Sequence, residues 1–166
     1  MSSLSMAELN RRLEVLEGES QVRRLMARYM DLCDVPRAPV AITELAELLS
    51  EDAVWEGIGT TTAQTFGHHQ GREAIAAFVF GYLPPSPHFT LNLHFLTSES
   101  IRVDGRTARG QWIMQQLSTY AEGHTELFGT RLDIDFREID GRWQISHFRT
   151  QRLSQRALGG AGEGRP

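Results

Sequence analysis

The stretch Phe128-Gly129-Thr130-Arg131-Leu132-Asp133-Ile134-Asp135-Phe136-Arg137 alternates without a break. Phe128, Thr130, Leu132, Ile134 and Phe136 fall on one parity, and Gly129, Arg131, Asp133, Asp135 and Arg137 on the other. A two-residue period is that of a strand, because successive side chains leave a pleated backbone on opposite sides; here one face meets a core and the charged face meets water. Working outward, the chain offers strands over 88–103, 107–120, 126–139 and 143–153, separated by Asp104-Gly105, Glu122-Gly123 and Asp140-Gly141. Asp-Gly supplies the positive φ that a tight hairpin needs. Four long strands joined so briefly predict an antiparallel meander.

Upstream the period changes to that of helices. From Met6 to about Asp34, Leu9, Leu13 and Leu16 are spaced by four and three, and a second register runs through Val22, Leu25, Met26, Tyr29, Leu32 and Cys33, with Gly18 placed to break or bend the helix. Pro36 disfavours helix at Val35, so the helix is expected to end near Asp34. A short helix over 42–49 follows, then a strand at Ala53-Val54-Trp55-Glu56, a hairpin connection over 57–64 returning through Phe66, and a helix over 73–83 stopped by Pro84-Pro85-Ser86-Pro87. Helices first and a meander last is an α+β order: N-terminal helices packed on one face of a curved antiparallel sheet. The expected organisation is one domain over 1–158 and a disordered Gly-rich tail over 159–166.

Composition narrows the function. The 166 residues carry 17 basic residues, all Arg and scattered, against 21 acidic ones, a net charge of −4 that argues against nucleic acid or an anionic membrane as partner. Cys33 is the single cysteine, so an internal disulfide and an all-Cys zinc site are excluded and a reducing, cytoplasmic setting is expected. No run approaches the roughly 18 apolar residues of a membrane span. His68-His69 has no completing ligand at metal spacing and is read as surface loop. With no Gly-rich phosphate loop and no Ser nucleophile elbow, the expectation is neither a metal nor a cofactor.

Parity orients some side chains and leaves others open. Trp143, Ile145, His147 and Arg149 share a face, which directs His147 inward with two large apolar groups. Asn92, His94 and Leu96 oppose Leu91, Leu93, Phe95 and Thr97, and periodicity does not choose between the faces. Tyr29 belongs to the apolar stripe of its helix, whereas Asp31 lies opposite, beside Arg24 and Arg28, where a solvated ion pair accounts for it. Met114 suits a cavity lining or an ordinary core equally.

Five segments in order carry a resemblance: Val22-Arg23-Arg24-Leu25-Met26-Ala27-Arg28-Tyr29 through Asp34; Leu48-Leu49-Ser50-Glu51-Asp52-Ala53-Val54-Trp55; Gly71-Arg72-Glu73-Ala74-Ile75; His94-Phe95-Leu96-Thr97; and Asp140-Gly141-Arg142-Trp143-Gln144-Ile145. Together they cover most of residues 20–150, and the set resembles the SnoaL-like branch of the nuclear transport factor 2-like superfamily. The resemblance implies a cone-shaped, cystatin-like α+β barrel around an apolar pocket. It implies a dehydratase-like, cofactor-independent lyase or isomerase acting on a small hydrophobic cyclic substrate, in a homodimer or homotrimer. A polyketide cyclase, a non-catalytic binding module or the small subunit of a ring-hydroxylating oxygenase are the alternatives within the same superfamily.

Residue by residue, the resemblance puts Asp34 and His94 in the places of an Asp–His catalytic dyad, Trp55 in that of a pocket Trp, and Tyr29 in that of a catalytic Tyr. Substrate contacts are expected from Trp55, Met114, Phe128, His147 and Arg149. Many relatives have Asn where this chain has Ser98, and Arg149 lies a few residues beyond the late-strand Arg of the dehydrochlorinases. A neutral imidazole at His94 would remove a carbon-bound proton, Asp34 would orient the ring, and Tyr29 or His147 would donate to a developing enolate.

Overall fold

The structure, a computed structural model, describes residues 5–37, 41–84 and 88–159. The predicted 159–166 tail and Pro85-Ser86-Pro87 lie almost wholly outside the described residues. Helix α1 spans Met6–Cys33, α2 Ile42–Ala46, α3 Thr60–Phe66 and α4 Arg72–Phe80. The strands are β1 Leu49–Gly57, β2 His68–Gln70, β3 Phe89–Asp104, β4 Thr107–Tyr120, β5 Thr125–Ile139 and β6 Arg142–Leu158.

All six strands form one unclosed sheet in the order β2-β1-β6-β5-β4-β3. The predicted meander forms the antiparallel β3–β6 series, and the alternation of β5 holds, with Phe128, Thr130, Leu132, Ile134 and Phe136 all buried. The sheet is not antiparallel throughout, because β1 joins β6 in parallel. Bulges interrupt the ladders between Thr97 and Ser100 on β3 and at two places on the β5–β6 pair. Each extra residue bends its strand and increases the local twist, which curls the long sheet around α1.

Helix α1 begins at Ser5, whose hydroxyl accepts the N–H of Glu8. This is the N-terminal half of a capping arrangement and fixes where the helix starts. Gly18 does not break it. The glycine marks where α1 crosses closest to the sheet: a Cβ there would stand 3.0 Å from Val103 Cγ1 and 3.5 Å from the Trp143 ring. The second predicted register, Val22 to Cys33, is buried, but Leu9, Leu13 and Leu16 lie ahead of the crossing and are exposed. Their spacing is helical without being a core stripe.

The segment 57–64, expected as a hairpin connection, holds helix α3 instead. Gly57 permits it, since a Cβ there would meet the Thr62 carbonyl oxygen at 2.3 Å. The chain still returns on itself: β2 pairs antiparallel with β1, Trp55 opposite His69. Gly18→Leu is expected to lower stability by about 1–3 kcal/mol, the usual cost of forcing extra methylenes into a packed contact. Urea unfolding measures it, and an unchanged midpoint would show that α1 does not touch the sheet at this point.

Candidate active site

The end of α1 is joined to the start of β3. Pro36 holds Val35 out of helical geometry, Asp34 caps α1 in an extended conformation, and Val35 pairs with Asn92 through two N–H···O bonds of 2.8 Å. This bridge aligns Asp34 with His94. Asp34 Oδ1 accepts the His94 backbone N–H at 3.0 Å and His94 Nδ1–H at 2.8 Å. The His94 side chain is 9% exposed and that of Asp34 28%. With Nδ1 donating to the carboxylate, a neutral ring carries its lone pair on Nε2.

His94 lines a cavity of about 140 Å³ between the concave sheet face, α1 and α4. The orientation left open by periodicity is therefore settled: Asn92, His94 and Leu96 face inward, and Phe95 is exposed. The cavity walls are largely aromatic. Trp55 stacks on Phe148 at 5.5 Å and 10°, and packs against Phe78 at 5.0 Å and edge-on against Phe66 at 5.7 Å. Tyr29 meets Phe148 at 5.1 Å, and Met114 lines the opposite wall.

Tyr29 is buried, and its oxygen accepts the Trp55 indole N–H at 3.2 Å. Burial raises the phenol well above its usual 10, and the neighbouring Cys33 adds to the effect. The hydroxyl thus keeps its proton, and among the described residues no group accepts it. A buried donor with an open hydrogen, on the same cavity as a histidine lone pair, can meet a substrate oxygen.

Three expected contacts lie elsewhere. A bulge sets Asp135 opposite His147 and Phe136 opposite Ile145, so Ser146 is the extra residue and the parity of β6 inverts after it. Trp143 and Ile145 are buried as predicted, and beyond the bulge Phe148 and Thr150 take the inward positions. His147 and Arg149 consequently project from the other face: His147 Nε2 meets Glu56 Oε1 at 2.7 Å, and Arg149 bonds His147 Nδ1 and Asp135. Phe128 is buried but stands behind Arg152, whose guanidinium lies 4.5 Å from its ring centre. Asp31 pairs with Arg28 at 2.6 Å, as expected. His69 is packed rather than loose, stacked on Phe78 at 3.9 Å with Nε2 at the Phe66 carbonyl, and among the described residues no cluster suits a metal.

The structure adds residues that the sequence reading passed over. Asn92 Oδ1 accepts from Ser118 Oγ at 2.7 Å and from Gln116 Nε2 at 2.9 Å, which orients the Asn92 amide and leaves its N–H donors without a partner among the described residues. Asn92 and Gln116 both line the cavity, as do Cys33 and Arg152. The shared parity of Asn92 and His94 was the available signal; for Arg152 the bulges removed any.

A family profile described as SnoaL-like domain matches residues 14–149. No curated protein sequence matches the chain. Among solved structures, a hexachlorocyclohexane dehydrochlorinase from Novosphingobium barchaimii is 17% identical over 91% of this chain and 97% of its own, with a TM-score of 0.70. A proposed scytalone dehydratase from Novosphingobium aromaticivorans is 17% identical, covering 90% and 97%, TM-score 0.70. An NTF2-like protein with a cystatin-like fold from the same organism is 22% identical, covering 92% and 93%, TM-score 0.69. These likenesses establish the fold. Among the described residues no helix is long and apolar enough to cross a membrane.

Burial, with Asp34 adding to it, pushes the Cys33 thiol from its ordinary 9.0 to about 12. The folded protein keeps a proton there that the unfolded chain releases, so this contribution to stability is complete below pH 9 and is lost as pH rises towards 12. Tyr29 acts in the same direction. The urea midpoint is expected to fall above pH 9 and to fall less in Cys33→Ala. At pH 8 the native thiol should alkylate with iodoacetamide about 10³-fold more slowly than the unfolded one, the ratio of their thiolate fractions. Equal rates would contradict this picture of the site.

Proposed function

The chain belongs to the SnoaL-like domain family, and on the geometry of its cavity we propose that it is a cofactor-independent lyase or isomerase acting on a hydrophobic cyclic substrate. The observation that carries the reading is the 2.8 Å bond from His94 Nδ1 to Asp34 Oδ1 beside an aromatic cavity. Supporting it are the dehydrochlorinase and proposed dehydratase with the same fold.

In the proposed elimination His94 Nε2 takes a proton from the carbon next to a carbonyl. The electron pair of that C–H bond forms the carbon–carbon double bond, and hydroxide leaves from the adjacent carbon. The imidazolium returns its proton to the hydroxide, and water departs. In an isomerisation the same proton goes back to a different carbon, and nothing leaves. Asp34 is a positioning residue: it selects the Nδ1–H form of the ring and stabilises the cation that develops. Tyr29 donates to the carbonyl oxygen as it gains enolate character. The size of the cavity suits one ring, because apolar cavities of about 150 Å³ hold a benzene molecule.

Cyclic β-hydroxyketones incubated in deuterated water test the reading. Wild type should release the unsaturated ketone or exchange the α-proton, and His94→Ala should be slower by about 10²- to 10⁴-fold, the usual worth of a general base. Asp34→Asn should keep the fold and lose at least about 10²-fold in kcat, because the ring loses the carboxylate that orients it. Tyr29→Phe should lower kcat more than it raises KM. Turnover by His94→Ala equal to wild type would remove His94 from the chemistry, and with it the proposed reaction.

A further inference from the structure

We propose that Arg152 is a carboxylate seat, so that the substrate of this cavity is an acid: a hydrophobic ring carrying a carboxylate on the side remote from His94. The proposal rests on reading the cavity as a substrate site and adds the substrate class. Arg152 lines the cavity wall from β6. Its guanidinium carbon lies 4.5 Å from the centre of the Phe128 ring and 5.6 Å from that of Phe66. Its backbone N–H donates to Thr62 Oγ1 at 2.9 Å, which ties this part of β6 to α3. The cation is thus held against two aromatic rings, half-buried, where water screens it less than on an open surface.

No carboxylate of the described residues forms an ion pair with it. Its single side-chain hydrogen bond goes from a terminal nitrogen to Gln155 Oε1 at 3.3 Å. Glu126 shares Gln155 with it, but Glu126 accepts from Gln155 Nε2 at 2.7 Å and from Tyr120 Oη at 3.1 Å. Among the described residues the remaining N–H groups of the guanidinium have no hydrogen-bond partner. A planar fork with open donors, stacked on aromatic rings, matches the two oxygens of a carboxylate. A single negative charge also suits a half-buried site better than a dianion, whose desolvation costs more.

Register fixes the relation to the base. Arg152 pairs with Thr130, Thr130 with Met114 and Met114 with Leu96, the inward neighbour of His94 on β3. Three strand spacings separate them, about 14 Å along the sheet. The guanidinium and His94 therefore stand on strands three apart on the concave face, with Thr130 and Met114 on the inward register between them. This arrangement suits a ligand with a ring in the middle and a charge at one end.

Isothermal titration calorimetry at pH 7.5 with 4-phenylbutyrate and 4-phenylbutanamide tests the proposal on the full chain. The carboxylate is expected to bind wild type at least tenfold more tightly than the isosteric amide. In Arg152→Gln the difference should shrink to about twofold or less, and Arg152→Lys, which keeps the charge but not the fork, should retain part of it. His94→Ala should keep the full preference, since binding does not need the base. Equal binding of the two probes to wild type, no binding of the carboxylate at millimolar concentration, or an undiminished preference in folded Arg152→Gln would each overturn the proposal. Carboxylate preference in a protein that turns nothing over would leave the seat and remove the elimination; turnover of neutral hydroxyketones without any preference would do the reverse.

Discussion

Two backbone hydrogen bonds between Val35 and Asn92 hold the C-terminus of α1 against the first long strand, and the site depends on them. Asp34 and His94 are sixty residues apart in the chain, and each comes from an element that would orient it differently alone. The helix must end at Cys33 for Asp34 to leave the helical path, and Pro36 ends it there by denying Val35 the helical region. Once Val35 pairs with Asn92, Asp34 lies beside the next inward position of β3, and its Oδ1 takes both the backbone and the ring N–H of His94. One carboxylate oxygen thus ties both the β3 backbone and the His94 ring to the end of α1. Removing it would loosen the helix–strand junction as well as free the ring.

The cavity around that junction gives the polar groups their force. Hydrogen bonds among Asp34, His94, Tyr29 and Trp55 lie against aromatic walls, where a lower local dielectric strengthens each of them and makes an unmet donor costly. Tyr29 illustrates this: buried, protonated and already accepting from Trp55, it has a hydroxyl hydrogen with no acceptor among the described residues. Asn92 is held similarly, its carbonyl occupied by Ser118 and Gln116 and its amide N–H groups open. The inward surface therefore carries an imidazole, several oriented donors and the Arg152 guanidinium among aromatic walls.

Much of this was legible in the residues. The alternation of β5 and the Asp-Gly turns gave the meander, because burial on one face enforces a period of two. Pro36 gave the end of α1, and the ordered segments pointed to Tyr29, Trp55 and His94, which line one cavity, and to Asp34, which bonds His94. Two of the misreadings come from backbone irregularity. Ser146 adds one residue to β6, which no pattern of apolar positions reveals, and every inward assignment beyond it changes face; His147 and Arg149 go outside, and Phe148, Thr150 and Arg152 come in. The α3 turn depends on Gly57 allowing a close carbonyl contact, and the threonines and glycines around it read equally well as a hairpin. Leu9, Leu13 and Leu16 keep a helical period on a part of α1 that passes beyond the sheet, so their spacing predicted secondary structure correctly and burial wrongly.

The proposed chemistry requires one protonation geometry of the His94 imidazole. Long-range ¹H–¹⁵N correlation spectra of the His94 ring in solution, compared between wild type and Asp34→Asn, measure it directly. A neutral ring with its proton on Nδ1 and a bare Nε2, a state lost when the carboxylate becomes an amide, is the predicted result. A proton resident on Nε2, or a ring indifferent to the change at position 34, would contradict it.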